Sequence, residues 1–445
     1  MTPELIARYD QRVPRYTSYP TAPHFKPDVD HATYAQWLSE LAPQTALSLY
    51  LHVPFCAELC LYCGCHTTVA RTYSPVASYV ELLEREIELV AKHLPSRMDV
   101  THIHWGGGTP TILSGDDLRR IMRHLESSFG IRPTAEIAVE IDPRTLALEH
   151  VEALAASGLN RASLGVQDFD PKVQETINRI QSFEQTAQAA TWLRNAGVIG
   201  LNLDLMYGLP YQTTESVLRT IEQALRLDPD RIALFGYAHV PWMKRHQALL
   251  PEEAMPDAVQ RVEQNAAAAS ALLEAGYVQI GIDHFAKPTD PMVARQREGR
   301  LHRNFQGYTT DDATALIGFG TSAIGSLPQG YIQNAPSTVA YREAITNGRL
   351  ATMRGVALTD DDRLRRSIIE RLMCDFAVDL DQVAPSQSDF TAEITALDAL
   401  ARDGLVKLDG LSIEIPEDSR LLVRNVCAAF DRYLDGAAVR HSRAV

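Results

Sequence analysis

The chain is short of cysteine, of positive charge and of long apolar runs. Six cysteines in 445 residues are too few for a disulfide scaffold. Four of them fall between positions 56 and 65, a clustering that suits a metal or redox site in a reducing compartment. Lys and Arg number 42 against 56 Asp and Glu, for a net charge of −14. That balance argues against a nucleic-acid partner, and an anionic ligand would need a local basic pocket in an acidic protein. No apolar run reaches the roughly 20 residues that span a bilayer. The opening residues, MTPELIARYDQRVPRY, lack the basic-then-apolar pattern of a secretory leader. The expectation is a cytoplasmic protein without a membrane partner. No fixed-period repeat and no low-complexity tract is visible.

The apolar share, 45%, is ordinary for a globular protein and supplies a core. Residues 1–45 carry prolines at 14, 20, 23 and 27 and read as an irregular, extended lead-in. From about residue 46, short β-branched runs alternate with longer helical patterns. Strands are expected at 46–53, 100–105, 136–141, 161–166, 200–206, 231–237 and 277–282. Helices are expected at 76–93, 116–128, 146–156, 183–196 and 214–225. Repeated βα units give a parallel sheet, open or closed into a barrel. After about residue 345 the rhythm changes. A helix over 358–375, capped by Thr359-Asp360-Asp361, precedes a second over 392–403 that Gly404 ends. A hairpin of 406–408 and 413–415 turns at Asp409-Gly410, and a last helix covers 420–434. This helix–helix–hairpin order resembles a winged-helix module. In acidic surroundings it suits a cover over the barrel better than a DNA reader. The expected domains are 1–45, 46–345 and 346–445.

The unusual polar and glycine motifs follow directly after strands. They are His52-Val53-Pro54-Phe55-Cys56, Gly106-Gly107-Gly108-Thr109-Pro110, Asp142-Pro143, Gln167-Asp168 and Tyr207-Gly208-Leu209-Pro210. Strand C-terminal ends are where barrels place their sites. Turn chemistry accounts for Gly and Pro, but not for Glu140, Gln167 and Asp204 near the ends of apolar runs.

Cys56, Cys60 and Cys63 form C-x₃-C-x₂-C, with Cys65 two residues on. Thiolates are soft ligands for zinc or iron–sulfur clusters. Structural zinc usually joins two short ligand pairs across a longer loop; all four thiols here share one loop, and spacing alone leaves zinc open. The spacing closely resembles that of the radical S-adenosylmethionine superfamily. The resemblance implies one [4Fe–4S] cluster held by Cys56, Cys60 and Cys63, with the fourth iron open to S-adenosylmethionine. Cys65 is not a ligand in that pattern. Cys374 and Cys427 lie in helical patterns and read as small core residues. Gly106-Gly107-Gly108 lets backbone approach a ligand closely and resembles the motif that meets the amino group of S-adenosylmethionine.

More distant segments narrow the family. Pro14-Arg15-Tyr16-Thr17-Ser18-Tyr19-Pro20, Cys63-Gly64-Cys65, Gly165-Val166-Gln167-Asp168-Phe169 and residues 302–310, HRNFQGYTT, together resemble the oxygen-independent coproporphyrinogen III oxidases of haem synthesis, over essentially the whole chain. The resemblance implies an α/β fold, a partial parallel (β/α) barrel of radical SAM type with an extended N-terminal segment and a mostly helical C-terminal domain. It implies two S-adenosylmethionine molecules. Tyr50, Gly107, Glu140, Ala238 and Ile324 match contacts to the cluster-bound one, with Tyr62 beside it. Gly108, Thr109, Gln167, Arg179 and Asp204 match contacts to the second. The substrate implied is coproporphyrinogen III, whose ring A and B propionates become vinyl groups. Arg15, His302 and Arg303 are candidates to neutralise its carboxylates, and residues 12–23 are expected to fold over the pocket mouth. An electron donor and an electron acceptor are required, and the family expectation is a monomer. Rival readings are a haem-trafficking relative, an enzyme that opens haem or transfers methyl groups, and a zinc-stabilised structural protein. Cys63-Gly64-Cys65, the HRNFQGYTT segment and the lead-in motif argue against the first two.

Overall fold

In the computed structural model, which describes residues 2–384, 389–434 and 442–443, the lead-in is more regular than its prolines suggest. It carries two capped helices. In α1 (Pro3–Tyr9), Thr2 accepts a hydrogen bond from the Leu5 N–H and Pro3 occupies the first turn. In α2 (His31–Ser39), Asp30 accepts from the N–H groups of Ala32 and Thr33. Both caps are ordinary start signals, readable beneath the prolines.

The βα rhythm holds. In chain order it runs β1 (Leu47–Val53), α3 (Ser74–His93), β2 (Asp99–Gly107), α4 (Gly115–Ser128), β3 (Gly130–Ile141), α5 (Leu148–Ala156), β4 (Arg161–Gln167), α6 (Phe183–Asn195), β5 (Gly200–Tyr207), α7 (Thr214–Arg226) and β6 (Arg231–Gly236). These six strands pair in sequence order, all parallel. Leu47, Leu49, Leu51 and Val53 on one face and Ser48 and His52 on the other are buried, as expected of a parallel strand covered on both faces. The third strand is longer than expected. Its added residues contain Pro133, which has no ladder N–H to give, and the pairing skips residues 132–135.

Beyond α8 (Ala258–Glu274) the topology changes. The expected parallel strand at 277–282 is instead a short edge, β7 (Val278–Ile280), antiparallel to β8 (His284–Ala286), which is itself antiparallel to β6. Gly281, at φ 55°, breaks the run into two pieces. A hairpin, β9 (His302–Asn304) and β10 (Gly307–Thr309), stands apart from the main sheet. Then β11 (Ala315–Phe319) returns to the free side of β1, parallel to it. The strands β12 (Ile324–Leu327), β13 (Gly330–Asn334) and β14 (Thr352–Ala357) extend the sheet by antiparallel meander. Among the described residues the twelve-stranded sheet runs β14-β13-β12-β11-β1-β2-β3-β4-β5-β6-β8-β7. Its two edges do not pair, so the barrel stays open.

The C-terminal region comprises α9 (Asp360–Asp375), β15 (Ala377–Asp379), α10 (Thr391–Arg402), β16 (Lys407–Asp409) and β17 (Ser412–Glu414), the strands ordered β15-β17-β16. The expected helix over 420–434 is much shorter, a 3₁₀ turn at Glu417–Leu422 followed by Val423–Ala428. This piece is a plug. Val423, Val426, Cys427 and Phe430 are buried, and Arg365 donates to the Phe430 carbonyl at 3.0 Å. Tyr9, Val13, Tyr16 and Tyr19 of the lead-in pack into the same apolar cluster. The two ends of the sequence therefore form one layer. Among the described residues no helix is long and apolar enough to cross a membrane.

Candidate active site

The motif-bearing ends of the parallel strands open into one cavity of about 1440 Å³. The cysteine loop forms its first wall. After β1 the backbone of Phe55–Cys56 pairs with Thr68–Val69, closing the loop at its base. Neighbouring segments pin it from outside. Asn178 donates to the Leu59 carbonyl and Gln247 to that of Tyr62, both at 2.8 Å. His246 bonds the Cys63 carbonyl at 2.8 Å and Lys244 donates to that of Cys65 at 2.7 Å. A loop so tied presents Cys56, Cys60, Tyr62, Cys63 and Cys65 on the cavity wall without further folding.

Each candidate ligand sulfur has a donor. Thr109 Oγ1 lies 3.7 Å from Cys56 Sγ, and the Cys65 N–H 3.4 Å from Cys63 Sγ. Arg144 and Arg179 reach Cys60 Sγ at 3.5 and 3.6 Å. The Cys65 thiol and N–H hold the Cys63 thiol below its usual range, aided by Lys244 and His246; Cys65, itself exposed, is correspondingly held up by its hydrogen bond to Cys63. Burial pushes Cys56 up to about 11. Among the described residues no three or more His, Cys, Asp or Glu side chains are gathered to hold a single metal ion. Three soft thiol donors on a pre-tied loop, opposite backbone without side chains, fit a multi-iron group better than one zinc.

The glycine run supplies that backbone. A Cβ on Gly108 would strike the Phe55 carbonyl oxygen and stand 2.9 Å from Cys56 Sγ. Gly107 has φ 113° and its Cβ would meet His52 at 2.7 Å, so neither position tolerates a side chain. Gly108→Ala is expected to push the cysteine loop aside and to lower iron retention about tenfold, the scale of a disturbed supporting contact, by iron assay. Wild-type iron content would remove the close-approach argument.

Behind the glycines, Glu140 accepts from the Gly107 N–H at 3.1 Å and pairs with His104 at 3.2 Å. His52 is held neutral, burial lowering it to about 4. Its Nε2 lies 2.9 Å from the His66 carbonyl, so Nε2 carries the proton and Nδ1 accepts from the Tyr50 hydroxyl at 3.0 Å. Further round, Gln167 ends β4 at φ 69°, a left-handed conformation costly for a non-glycine residue, and it faces the cavity beside Arg179. Asp204 lines the floor, held by Ser163 and Asn202 at 2.8 Å each. Burial, against those hydrogen bonds, raises it to about 6, with Glu140 adding repulsion.

The structure gathers most of the sequence-predicted residues and separates three. Gly107, Gly108, Thr109, Glu140, Gln167, Arg179, Asp204 and Ala238 line the cavity, as do Arg15 and Arg303. Tyr50 stands behind the wall, stacked on His104 at 6.0 Å. Ile324 packs beside the Phe25–Tyr331–Leu358 cluster instead of on the lining. His302 is turned away, its Nδ1 3.2 Å from Glu370; an imidazole already paired there is not on the cavity wall. Arg179 is more committed than a free carboxylate receptor. Its Nη atoms bond Asp142 at 3.2 Å and the Gly165 carbonyl, and only Nε, buried, lacks a partner. Asp142, expected only as part of a strand-end motif, sits beside the cysteine loop with Arg144, which the sequence reading did not single out. Burial opposes ionisation of Asp142, yet Arg144 and Arg179 hold it below the carboxylate range. The signal was Asp142-Pro143-Arg144 directly after a strand. Arg12, Val13, Pro14, Arg15, Thr17 and Pro23 line the same cavity, so the lead-in reaches the mouth.

A radical SAM superfamily model matches residues 50–224, which contain the cysteine loop, the glycine run and β1 to β5. Over its full length the chain is 54% identical to the oxygen-independent coproporphyrinogen III oxidase of Bradyrhizobium diazoefficiens, covering 100% of both. The chain belongs to the oxygen-independent coproporphyrinogen III oxidase family. The Paracoccus denitrificans relative is 43% identical, over 99% of this chain and 98% of its own. The solved structure of the Escherichia coli coproporphyrinogen III oxidase, a radical SAM enzyme, superposes with a TM-score of 0.90 at 39% identity, covering 95% of this chain and 100% of that one. Membership of a radical SAM family brings a [4Fe–4S] cluster and S-adenosylmethionine, and the thiol loop and side-chain-free backbone described above fit both.

Proposed function

We propose that this protein converts coproporphyrinogen III to protoporphyrinogen IX without oxygen, by oxidative decarboxylation of the ring A and B propionates. The observation that carries the reading is the likeness to family oxidases along the entire chain, lead-in and C-terminal plug included, together with the cavity that those segments line. Cys56, Cys60 and Cys63 would hold the cluster. Tyr50, Tyr62, Gly107, Glu140, Ala238 and Ile324 would serve one S-adenosylmethionine, with Tyr50 and Ile324 acting from behind the wall. Gly108, Thr109, Gln167, Arg179 and Asp204 would serve a second. When bound, these groups supply a 5′-deoxyadenosyl radical that removes a β-hydrogen from a propionate. That propionate then gives up carbon dioxide and one electron, to a one-electron acceptor, and leaves a vinyl group.

The chain's own tasks follow from the site. The lead-in, residues 1–45, and the C-terminal region, 346–445, cover the barrel, 46–345, and keep other hydrogen donors from the reacting carbon. Glu140 fixes the glycine backbone and offers a carboxylate to an amine or a ribose hydroxyl. Neutral His52 holds Tyr50 in place without adding charge beside a cationic cofactor. Asp142, Arg144 and Arg179 brace the buried side of Cys60.

The test is anaerobic. Protein reconstituted with iron and sulfide, then given a reductant, S-adenosylmethionine and coproporphyrinogen III, should release two carbon dioxide molecules per porphyrinogen together with 5′-deoxyadenosine. Cofactor cleavage with no carbon dioxide would overturn the substrate assignment and leave the superfamily chemistry standing.

A further inference from the structure

The cavity has a second wall, built beyond β6 and β8 in the strand order, whereas the cysteine loop follows β1. The segment after β6 joins the two, since Lys244, His246 and Gln247 bond carbonyls of the cysteine loop. Four arginines meet on the lining of the second wall. Arg15 comes from the lead-in, Arg261 from α8, Arg303 from β9 and Arg424 from the C-terminal plug, and they share the lining with one carboxylate, Asp283, whose charge Arg303 and Arg15 feel most directly. Arg15 donates to the Gly236 carbonyl at 3.3 Å, Arg261 to Tyr237 at 2.8 Å and Arg424 to Arg443 at 2.9 Å. The Arg303 side chain is 6% exposed, 4.0 Å from Asp283, and its guanidinium lies over the Tyr308 ring at 4.4 Å. Its Nε and Nη1 have no hydrogen-bond partner, and neither has Arg261 Nε.

Asp283 is itself shared with His284 at 2.7 Å. Of the other acids on the lining, Glu58, Glu140, Asp142 and Asp204 have partners at the cysteine and glycine wall, and three more are engaged elsewhere. Asp10 pairs with Arg443 and Glu252 with His239, and Asp257 caps α8. Arg15 stands exposed at the rim, whereas burial with Arg15 and Arg303 brings the buried Arg424 down to about 10. The buried N–H groups that Arg303 and Arg261 leave without an acceptor are costly away from bulk water unless further anions join them. Guanidinium forks with unused N–H groups favour planar carboxylates.

We propose that this arginine wall is a recognition subsite for the two propionates the reaction leaves in place, on rings C and D, while the reacting ring A and B propionates face the cysteine and glycine wall. The inference rests on the substrate reading above and adds an orientation to it. Substrate and product keep those two carboxylates in common, so the wall holds both. It is assembled from the lead-in, the barrel and the plug, so the site is complete only with both ends of the chain in place.

Stable oxidised porphyrins test this with cluster-loaded wild-type protein, by quenching of porphyrin fluorescence. Coproporphyrin III, with four carboxylates, and protoporphyrin IX, with two, should bind within about threefold of each other, and the tetramethyl ester of coproporphyrin III at least about tenfold more weakly, the value of one or two charge-assisted bonds. The paired substitutions Arg261→Gln and Arg303→Gln should weaken both acids about tenfold or more and raise the KM for coproporphyrinogen III more than they lower kcat, and Arg303→Lys should recover part of the loss. Exposed, remote Arg349→Gln should do neither. Much tighter binding of the tetra-acid than of the di-acid, or equal binding of the ester, would overturn the proposal, as would an Arg303→Gln effect no larger than that of Arg349→Gln. The porphyrin comparison uses no variant, so misfolding of a substituted protein leaves it decisive. A wild-type protein that binds both acids but releases no carbon dioxide from coproporphyrinogen III would instead refute the function.

Discussion

Cys60→Ala protein, reconstituted anaerobically, is expected to retain no more than about a tenth of wild-type iron and sulfide and to release no carbon dioxide from coproporphyrinogen III. The reason is local. Cys60 is 8% exposed, and its sulfur faces two guanidinia, Arg144 and Arg179, which remain paired to Asp142 when the sulfur is gone. The loop therefore keeps its shape and loses a donor, and the defect is one of ligation rather than folding. Cys65 is badly placed to substitute. Its carbonyl is tied to Lys244 and its N–H is directed at Cys63 Sγ. Cys65→Ala keeps that N–H and should keep its iron, whatever it does to turnover. Iron analysis of the two variants side by side decides the matter. Retention in Cys60→Ala with loss in Cys65→Ala would reverse the assignment of ligands.

The parallel part of the sheet was legible because its strands are short apolar-rich runs between helical patterns; in β5, buried Leu201, Leu203, Leu205 and Tyr207 alternate with the half-buried Asn202, Asp204 and Met206. The antiparallel extension was not. β7, β8, β9 and β10 are three residues each, too short for any period to show. The cysteine loop and the glycine run were legible because their chemistry is contiguous in the chain. The arginine wall was half legible. Arg15 and Arg303 sit in long recognisable segments, whereas Arg261 and Arg424 belong to helices in which an arginine ordinarily reads as surface charge, and only tertiary packing turns them inward. His302 failed for the converse reason: it shares a motif with Arg303, but neighbours on a strand point to opposite faces, and only one of the pair could reach the cavity. The last helix was overextended because its apolar residues have helical spacing, while the buried Arg424 and Asn425 show a plug packed on all sides.

Glu86 carries the largest expected effect on stability. It is 2% exposed on α3 and accepts from the Gly320 N–H and Asn334 Nδ2 at 2.6 Å each and from the Tyr341 hydroxyl at 2.7 Å. Tyr79 joins the same layer, donating to the His52 carbonyl at 2.7 Å and accepting from the Thr321 N–H at 2.9 Å. The acid thus fastens the loop after β11 to α3, and Tyr79 of the same helix ties that loop to the strand that leads into the cysteine loop. Glu86→Leu leaves three buried donors without an acceptor, at a cost of about 3 to 5 kcal/mol, and should lower both the denaturation midpoint and the retained iron. Burial, only partly offset by those hydrogen bonds, raises Glu86 from 4.5 to about 7; the tyrosines that feel its charge, Tyr34, Tyr79 and Tyr341, are themselves held far up by burial. The folded state therefore binds this proton more tightly than the unfolded chain does. The associated stability is fully present below pH 4.5 and is lost as the pH rises through about 7, a total of about 3 kcal/mol. Glu86→Gln has no such proton. The difference in unfolding free energy between wild type and Glu86→Gln, measured by denaturant titration from pH 4.5 to 8, should shift by about that amount in favour of the variant as the pH rises. A difference that stays constant with pH would show that Glu86 is ionised in the fold throughout and that its three donors are sufficient to hold the charge.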